Sequence, residues 1–315
     1  MAKNTIQFQK GLSLIKFQST YATDSQCRDA LFKIRWPKGF KCPECGHSEF
    51  YKISSRKLYE CNKCHRQTSV TCGTIFDNTK LGLNVWFLAI YFMTQSKDGI
   101  SSLNLARTIG VSANTALRVK HKLQHVMRQC VDSRTLTGFI QIDDAYMGGK
   151  RRGGKRGRGA SGKIPIIAAV QTNQRGNPIF IKLNQVAAFS KSEISNWASN
   201  NLASGSIVVS DGLNCFSGVS DANCTHVPIV TGGGADSVDL PQFKWVNTVL
   251  GNVKNSIRGS YHSISQTHVA RYLAEFCYRF NRRFILGKMI ENLAFHSIKT
   301  PPVPCRILVQ PETEW

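Results

Sequence analysis

The sequence is poor in acidic residues: 19 Asp and Glu stand against 41 Lys and Arg, a formal net charge of +22 over 315 residues. It also lacks an apolar run of the roughly 18 residues that a membrane span requires. Its first residues, MAKNTIQFQKGLSLIKF, have neither a long apolar core nor a small-residue cleavage site, so no secretory signal is expected. These absences argue against a membrane protein and favour a polyanionic partner, nucleic acid before an anionic membrane surface.

The chain does not have the cysteine pattern of a disulfide-bonded protein. Its 11 cysteines are an odd number in a basic chain without a signal sequence, which indicates a reducing compartment. Four are patterned: Cys42 and Cys45 form one CxxC pair and Cys61 and Cys64 a second, with 15 residues between the pairs. Four thiolates at this spacing predict a zinc ribbon with a structural Zn²⁺ ion, because no position stays open for catalysis. The alternative is two unrelated CxxC turns or a redox pair.

A helical region follows the cysteines. Residues 83–95 are apolar nearly all round, and Ile100, Leu103, Ala106 and Ile109 then recur every three residues. A tight turn is predicted at 110–112, where Ser112 or Asn114 can cap a second helix. The inward residues of that helix are Ala116, Val119, Leu123 and Val126, and its polar residues include Arg118, Lys120, His121, Lys122 and His125.

This pattern predicts a helix-turn-helix whose second helix has a basic exposed side. Asn114, Thr115 and Arg118 near the start of that helix are expected to reach base edges, with Lys122 as a further DNA contact. The alternative is a helical hairpin that only packs.

From Gly138 onward the pattern changes to short strand-like runs. Four strands are predicted at FIQID, IPIIAAVQT, PIFIKLN and GSIVVSDG, with a helix at SKSEISNWASNNL between the third and fourth. This order indicates a mixed α/β domain. Past Gly232, helices are predicted at FKWVNTVLGNVKNSIRG and SQTHVARYLAEFCYRFNRRF, and the tail IKTPPVPCRILVQPETEW is predicted to be irregular.

Acidic residues are scarce in this second half, with only nine from Asp143 to Glu291. Asp143 or Asp144 ends the first predicted strand and Asp211 the fourth. Carboxylates that converge from neighbouring strand ends form the oxygen site that Mg²⁺ prefers, and two such ions can activate an oxygen for attack on a phosphodiester. A lone Asp is more simply explained as a turn or cap residue, but the joint placement in so basic a chain favours the metal site.

A glycine-rich basic loop follows the acidic pair. Its cationic residues are Lys150, Arg151, Arg152, Lys155, Arg156, Arg158 and Lys163. Such a loop can bring DNA phosphates towards carboxylates that would otherwise repel them, and about six to ten phosphate contacts would make binding fall steeply with salt. The alternative is a solvated, disordered loop, and both readings hold if the loop orders only on DNA.

Taken together, these motifs resemble one family. Over roughly residues 20–290 the chain resembles insertion-sequence transposases of the ISXO2-like DDE group. The similar stretches are the four-cysteine ribbon, TCGTIFDNTKL, the helix-turn-helix, IDDAYMGGKRRGGKRGRGASGK, VVSDG, WVNTVLGNVKNSIRGSYH and YLAEFCYRFNRRF. The resemblance implies a multidomain α+β fold with an RNase H-like mixed α/β catalytic domain. The implied parts are an N-terminal helical segment at 1–36, the zinc ribbon at 37–75, the helix-turn-helix domain at 80–130, the catalytic domain at 136–290 and an irregular tail at 291–315.

By this resemblance Asp143 and Asp211 are the first two catalytic carboxylates. The third position falls on Asn247, and Lys254 lies seven residues further, on the same face of a helix. Since Asn is neutral, the site has a formal charge of −2 rather than −3 and is expected to hold Mg²⁺ or Mn²⁺, as two ions, more weakly. Lys254 would lie near the scissile phosphate and Arg258 would contact DNA. The alternative for Asn247 is a helix N-cap.

Asp144 is not assigned by periodicity. Adjacent strand residues point to opposite faces, so only one of Asp143 and Asp144 can point straight at the metal, and Ile140 and Ile142 share the face of Asp144. The resemblance favours Asp143 and gives Asp144 a supporting contact.

The implied function is metal-dependent cleavage at insertion-sequence ends followed by strand transfer to target DNA. The implied partner is double-stranded DNA, both terminal inverted repeats and target, bound by a homo-oligomer of at least two copies in the cytoplasm, at the bacterial nucleoid. Two other functions stay open. One is a DNA-binding regulatory protein with an inactive RNase H-like domain, for which Asn247 is the argument; the other is a nuclease that cuts but does not join.

Overall fold

The computed structural model describes residues 11–148, 162–230, 240–262 and 264–310. Its α-helices are α1 (Leu14–Tyr21), α2 (Asp24–Arg35), α3 (Leu83–Gln95), α4 (Ser102–Ile109), α5 (Ala113–Asp132), α6 (Lys191–Asn201), α7 (Lys244–Ser256), α8 (Val269–Asn281), α9 (Met289–Lys299) and α10 (Cys305–Leu308). Its strands are β1 (Phe50–Ile53), β2 (Leu58–Cys61), β3 (Gln67–Thr68), β4 (Phe139–Met147), β5 (Ile164–Thr172), β6 (Pro178–Gln185), β7 (Ile207–Ser210) and β8 (Thr225–Pro228). None of the helices in these ranges combines the length and apolar character needed to cross a membrane.

The chain divides into two compact units. The first takes in the residues up to Val126 together with Phe284–Val309, and the second takes in Met127–Arg283. In the first unit β1, β2 and β3 form an antiparallel sheet in that order. Five aromatic rings pack between this sheet and the end of α2, with centroids 4.8–6.3 Å apart: Phe32, Trp36, Phe40, Phe50 and Tyr59.

One carboxylate connects three parts of the first unit. Asp24 Oδ1 accepts a hydrogen bond from the N–H of Leu83 at 2.7 Å, and Oδ2 accepts from Arg28 at 2.9 Å and from Lys57 at 3.0 Å. Burial alone would raise the pKa of Asp24, but these hydrogen bonds and the charge of Arg28 hold it at about 2. The start of α2, the turn after β1 and the start of α3 are thereby tied together.

The two helices and the tight glycine turn that the sequence predicted between them are confirmed. Between α4 and α5, Gly110 has a φ of +70°, the left-handed conformation that glycine adopts without strain. Ser112 Oγ accepts a hydrogen bond from the N–H of Thr115 at 3.2 Å and so caps α5. The four residues predicted to face inward, Ala116, Val119, Leu123 and Val126, are all buried.

The prediction of an irregular tail from residue 291 is wrong for the stretch that forms α9. Its buried residues, Met289, Ile290, Leu293, Ala294 and Ser297, recur at helical spacing and form one packed face against α2 and α3. The prolines that suggested an irregular tail begin only at Pro301, just beyond the end of this helix. Residues 284–309 accordingly belong to the first unit and not to the predicted catalytic domain or to a free tail.

The second unit contains a five-stranded sheet in the order β6–β5–β4–β7–β8. The β4–β5 and β5–β6 pairs are antiparallel, and the β4–β7 and β7–β8 pairs are parallel. This mixed sheet with flanking helices confirms the predicted fold class. Strand β8 was not predicted, because THVP is short and its side chains are mostly exposed.

The central strand β4 separates two layers of the second unit. Ile140 and Ile142 lie in the core formed with α6 and a 3-10 helix, Asn214–Ala222. That helix packs so closely on α6 that a Cβ on Gly218 would collide with the carbonyl oxygen of Lys191. Side chains alternate along a strand, so Gln141 and Asp143 project to the other face, where α7 packs on β4 and β5.

Candidate active site

Three carboxylates meet where β4 and β7 run side by side. Gln141 pairs with Val209 in this parallel ladder, and Asp143 and Asp211 each lie two residues further along. Asp143, Asp144 and Asp211 each offer an oxygen within 4.8 Å of the other two. The strands thus bring together residues that are 68 positions apart in the sequence.

Asp144 lies in the same cluster as Asp143. The backbone N–H of Asp144 donates to Asp143 Oδ1 at 2.9 Å, which fixes the orientation of the Asp143 carboxylate. Strand alternation predicts that the two side chains leave on opposite faces, yet their carboxylates still approach each other at this point. Distance therefore does not distinguish between Asp143 and Asp144 as a ligand.

The site accumulates negative charge in a partly buried place. Burial raises the pKa of Asp143 to about 7, and the charges of Asp144 and Asp211 act in the same direction. The hydrogen bond from the Asp144 N–H and the positive charge of Lys254 lower it. Oxygen donors that repel one another at this distance suit a hard divalent cation, which relieves the repulsion between them. The residues present therefore fit such an ion.

The turn that carries Asp211 is held by residues that the sequence did not single out. Asp211 Oδ1 accepts a hydrogen bond from the N–H of Leu213 at 3.0 Å, and Ser210 Oγ accepts from the N–H of Gly212 at 3.3 Å. Ser210 Oγ also lies 2.8 Å from Nε2 of His226 on β8, and burial lowers the pKa of that imidazole. No local signal could have shown this link, since it depends on the pairing of β7 with β8.

Helix α7 carries Asn247 and Lys254. Asn247 is half-buried and Lys254 is exposed, with its charge acting on Asp143. The two lie seven residues apart in one helix and so share a face, as predicted. Asn247 is not the N-cap, because that position belongs to Phe243. Gln141 of β4, another residue that sequence reasoning missed, accepts hydrogen bonds from the N–H groups of Trp245 and Val246.

The predicted phosphate contacts are only partly covered by the structure. Lys163, the last cation of the basic loop, and Arg258, in the π-helical turn Ile257–Tyr261, are both exposed. The remaining cationic residues of the loop lie outside the described residues: Lys150, Arg151, Arg152, Lys155, Arg156 and Arg158.

The four patterned cysteines converge in the first unit. Their Sγ atoms lie within 4.8 Å of one another, with 3.6 Å between Cys42 and Cys64 and 3.5 Å between Cys45 and Cys61. A tetrahedral zinc site with Zn–S bonds of about 2.3 Å has S–S edges of about 3.8 Å, so the thiols fit zinc. The N–H of Cys45, helped by that of Glu44, lowers the pKa of the Cys42 thiol to about 6 against the effect of burial. Backbone N–H groups thereby favour the thiolate that binds metal.

The exposed side of α5 is narrower than the sequence predicted. Asn114 and Arg118 are exposed and Thr115 is half-buried. Lys120 and His121, however, are buried, and the ammonium of Lys120 donates to the carbonyl of Ile100. Lys122 is half-buried: its ammonium donates to the carbonyl of Ile75 at 3.3 Å, and burial lowers its pKa. The contact of Lys122 with DNA stays a prediction, and its ammonium already makes one hydrogen bond inside the first unit.

Both units are similar to known protein families. Residues 135–281 match the family model of the ISXO2-like transposase domain, and residues 22–67 match that of the transposase zinc-ribbon domain. The chain is 27% identical over 166 residues to an uncharacterized protein in transposable element ISH50 of Halobacterium salinarum. That match covers 47% of this chain and 55% of the relative, so the chain spans about half the length of the curated protein that it matches.

Two solved structures show a weak likeness. The crystal structure of a pre-cleavage Mos1 transpososome aligns with 67% of this chain and 76% of its own, at 10% identity and a TM-score of 0.28. The crystal structure of the Mos1 strand transfer complex aligns with 63% of this chain and 76% of its own, at 10% identity and a TM-score of 0.23. Both scores lie below the level at which a shared fold follows.

Proposed function

We propose that this chain cleaves DNA at insertion-sequence ends and joins those ends to target DNA. By its zinc-ribbon and transposase domains it belongs to the ISXO2-like transposases. The observation that carries the proposal is the convergence of Asp143 and Asp211 from adjacent parallel strands, on the side of β4 where α7 packs. In a chain of net charge +22, such a cluster favours a phosphodiester substrate.

In this proposal Asp143, Asp211 and Asn247 hold divalent cations, Mg²⁺ or Mn²⁺. Two such ions supply activation of the attacking oxygen and stabilisation of the leaving oxygen of a phosphodiester. Asp143 and Asp211 contribute charged oxygens, and Asn247 contributes a neutral one. Asp144 lies close enough to take part or to orient Asp143 through its N–H.

The cationic residues bind and orient the DNA. Lys254, whose charge already acts on Asp143, is assigned to the scissile phosphate or its neighbour. Lys163 and Arg258, together with the cations of the loop between β4 and β5, bind phosphates around the cleavage point. These contacts offset the repulsion between the DNA backbone and the carboxylates.

The first unit is assigned to recognition of the element ends. Asn114, Thr115 and Arg118 lie at the start of α5, the part of a second helix that reaches base edges in a helix-turn-helix. The zinc ion is structural, since four cysteines complete its coordination. Pairing of two element ends favours a homo-oligomer of at least two copies, acting where cellular DNA lies, in the cytoplasm and at the nucleoid.

The test is a cleavage and joining assay on DNA that carries the element's own ends, with Mg²⁺ or Mn²⁺. Wild type is compared with Asp211→Ala and Asn247→Ala. Cutting and joining that vanish in Asp211→Ala and fall in Asn247→Ala are the expected result. Tight binding to the ends without metal-dependent cutting by wild type would instead assign a regulatory DNA-binding role, and cutting without joining would assign a nuclease.

A further inference from the structure

The first turn of α7 has no cap from its own segment. Phe243 occupies the N-cap position and provides no side-chain hydrogen bond. The first N–H groups of a helix have no partner within the helix, so they need one from elsewhere. Gln141 Oε1 accepts from the N–H groups of both Trp245 and Val246, at 3.1 Å each. Since both partners are donors, the side-chain oxygen of Gln141 must face the helix.

This contact joins the two elements that carry the candidate metal ligands. Gln141 lies two residues before Asp143 in β4, on the same face of the strand. Asn247 directly follows Val246, and its N–H makes an intrahelical hydrogen bond to the carbonyl of Phe243 at 3.0 Å. The side chain of Gln141 therefore connects the strand that carries Asp143 directly to the helical turn that carries Asn247.

A neutral ligand depends on such support more than a charged one. A carboxylate is drawn towards a divalent cation by its charge, whereas an amide oxygen contributes mainly by being in place before the cation arrives. Residues that orient metal ligands typically change metal affinity by about 10- to 100-fold when removed. An Asn at the third position makes the attachment of α7 to β4 correspondingly important.

We propose that Gln141 is a positioning residue: it caps α7 from strand β4, holds Asn247 beside Asp143 and Asp211, and thereby strengthens divalent metal binding. The inference rests on the proposed function, because it takes Asn247 as a metal ligand. A second tether makes it testable without loss of the helix. The indole Nε1 of Trp245 donates to the carbonyl of Gly176, so the first turn of α7 stays attached when Gln141 is replaced.

The test begins with three variants of the full chain at Gln141 and Gln171. Gln141→Leu keeps a similar size and removes the acceptor, while Gln141→Glu keeps an acceptor and adds a charge that a helix N-terminus favours. Gln171→Leu is the matched control. Gln171 lies on β5, where it accepts from the N–H of Thr137 at 3.4 Å and donates to Thr137 Oγ1 at 3.2 Å, opposite Ile140 and on the face away from α7.

Two quantities are measured on the protein without DNA: Mn²⁺ affinity by electron paramagnetic resonance, and hydrogen exchange at the amides of Trp245 and Val246. We expect Gln141→Leu to weaken Mn²⁺ binding about 10-fold or more and to speed exchange at both amides. Gln141→Glu should restore protection and affinity, and Gln171→Leu should leave both unchanged. Because Gln141 acts through Asn247, adding Gln141→Leu to Asn247→Ala should cost no further affinity.

The outcomes separate this inference from the proposed function. If Gln141→Leu binds Mn²⁺ with wild-type affinity while Asp211→Ala no longer binds it, the positioning role is overturned and the proposed metal site is retained. Equal losses in Gln141→Leu and Gln171→Leu also overturn it, since they would indicate a general effect on stability. Absence of Mn²⁺ binding in wild type contradicts the proposed metal site itself, and the positioning role with it.

Discussion

Asp143 and Asp211 lie level on adjacent parallel strands, each two residues beyond the paired residues Gln141 and Val209. Their carboxylates, with that of Asp144, come within 4.8 Å of one another. The sheet imposes this proximity, because β4 and β7 are held in register by backbone hydrogen bonds whatever the charges at their ends. The folded chain therefore holds the carboxylates close together although they repel one another. Burial and these neighbouring charges raise the pKa of Asp143 to about 7.

Removing one of these charges should stabilise the metal-free protein. Asp211→Asn keeps an Oδ1 acceptor for the N–H of Leu213 and removes a charge that repels Asp143. We expect the free energy of unfolding in a chelator to rise by about 1 kcal/mol. Added Mg²⁺ should raise the melting temperature of wild type and not that of Asp211→Asn. A ligand stabilises a folded protein only if the folded protein binds it, and Asp211→Asn lacks one of the charged ligands. Thermal unfolding with and without Mg²⁺ checks both statements, and equal Mg²⁺ stabilisation of the two proteins would contradict them.

A buried charge network should hold the segment that follows α7. Glu275 is fully buried on α8, accepts a hydrogen bond from the Tyr261 hydroxyl at 2.9 Å and is paired with Arg279. Glu275→Gln leaves the buried guanidinium without its charge partner and should cost about 3 to 5 kcal/mol. Tyr261→Phe removes one hydrogen bond to a charged group and should cost about 1.5 to 3 kcal/mol.

Urea denaturation measures these losses, with Asp221→Asn as the control. Asp221 and Lys191 form an exposed pair 3.9 Å apart, and its loss should cost less than about 1 kcal/mol. A loss for Glu275→Gln no larger than that of Asp221→Asn would show that the buried network contributes little.

The first unit should lose stability in acid through Asp24. The pKa of this carboxyl is held at about 2 in the folded chain, below its ordinary value of 3.8. A lowered folded-state pKa contributes stability that is present above pH 3.8 and is lost as the pH falls towards 2. Because Asp24 is partly exposed, we expect a contribution of about 1 kcal/mol.

Melting temperatures of wild type and Asp24→Asn between pH 2 and 6 test the role of Asp24, since any loss of zinc in acid affects both proteins. The difference between them should be largest at pH 6 and should shrink as the pH falls below 3.8 towards 2. Asp29→Asn, an exposed change on the same helix, serves as the control. A difference that is independent of pH would contradict the assignment.

Two cationic residues of α5 should behave differently on DNA. Arg118 is exposed, whereas the ammonium of Lys122 donates to the carbonyl of Ile75. Arg118→Ala should weaken binding to element ends. If Arg118 contacts a base edge, the loss should be about 1 to 3 kcal/mol; if it binds a phosphate, the slope of log affinity against log salt concentration (the salt slope) should fall by about 1. Lys122→Ala should lower the melting temperature and leave the salt slope unchanged. Fluorescence anisotropy over a salt series separates the two, and a reduced slope for Lys122→Ala would contradict this expectation and support the phosphate contact that the sequence predicted.

The sequence predicted those features whose signals are local. The apolar run at 83–95 became α3 with the predicted bounds, and IPIIAAVQT became β5, because each depends on a continuous pattern of burial. The four cysteines and the glycine turn of the helix-turn-helix were recognisable for the same reason. Helix α9 carried a helical pattern too, but the prolines that follow it drew attention to an irregular tail.

The missed features depend on contacts between distant residues. Gln141 reaches a helix that begins more than 100 positions later, and His226 reaches Ser210 only because β8 pairs with β7. Burial of Lys120 also escaped prediction, because a lysine on a helix is usually solvated and only the packed unit shows which carbonyl its ammonium contacts. Periodicity assigns a face to a residue and does not reveal what lies against that face.

The central claim is that Asp211 binds a divalent metal that acts on DNA, and a change of ligand chemistry tests it most directly. Asp211→Cys replaces a hard oxygen by a thiolate, which Mg²⁺ binds poorly and Mn²⁺ tolerates better. Cleavage of an end-bearing DNA is measured for wild type and Asp211→Cys in each metal. The account predicts no cleavage by Asp211→Cys in Mg²⁺ and partial recovery in Mn²⁺, with wild type active in both. Cleavage by Asp211→Cys at the wild-type rate in Mg²⁺ would contradict it.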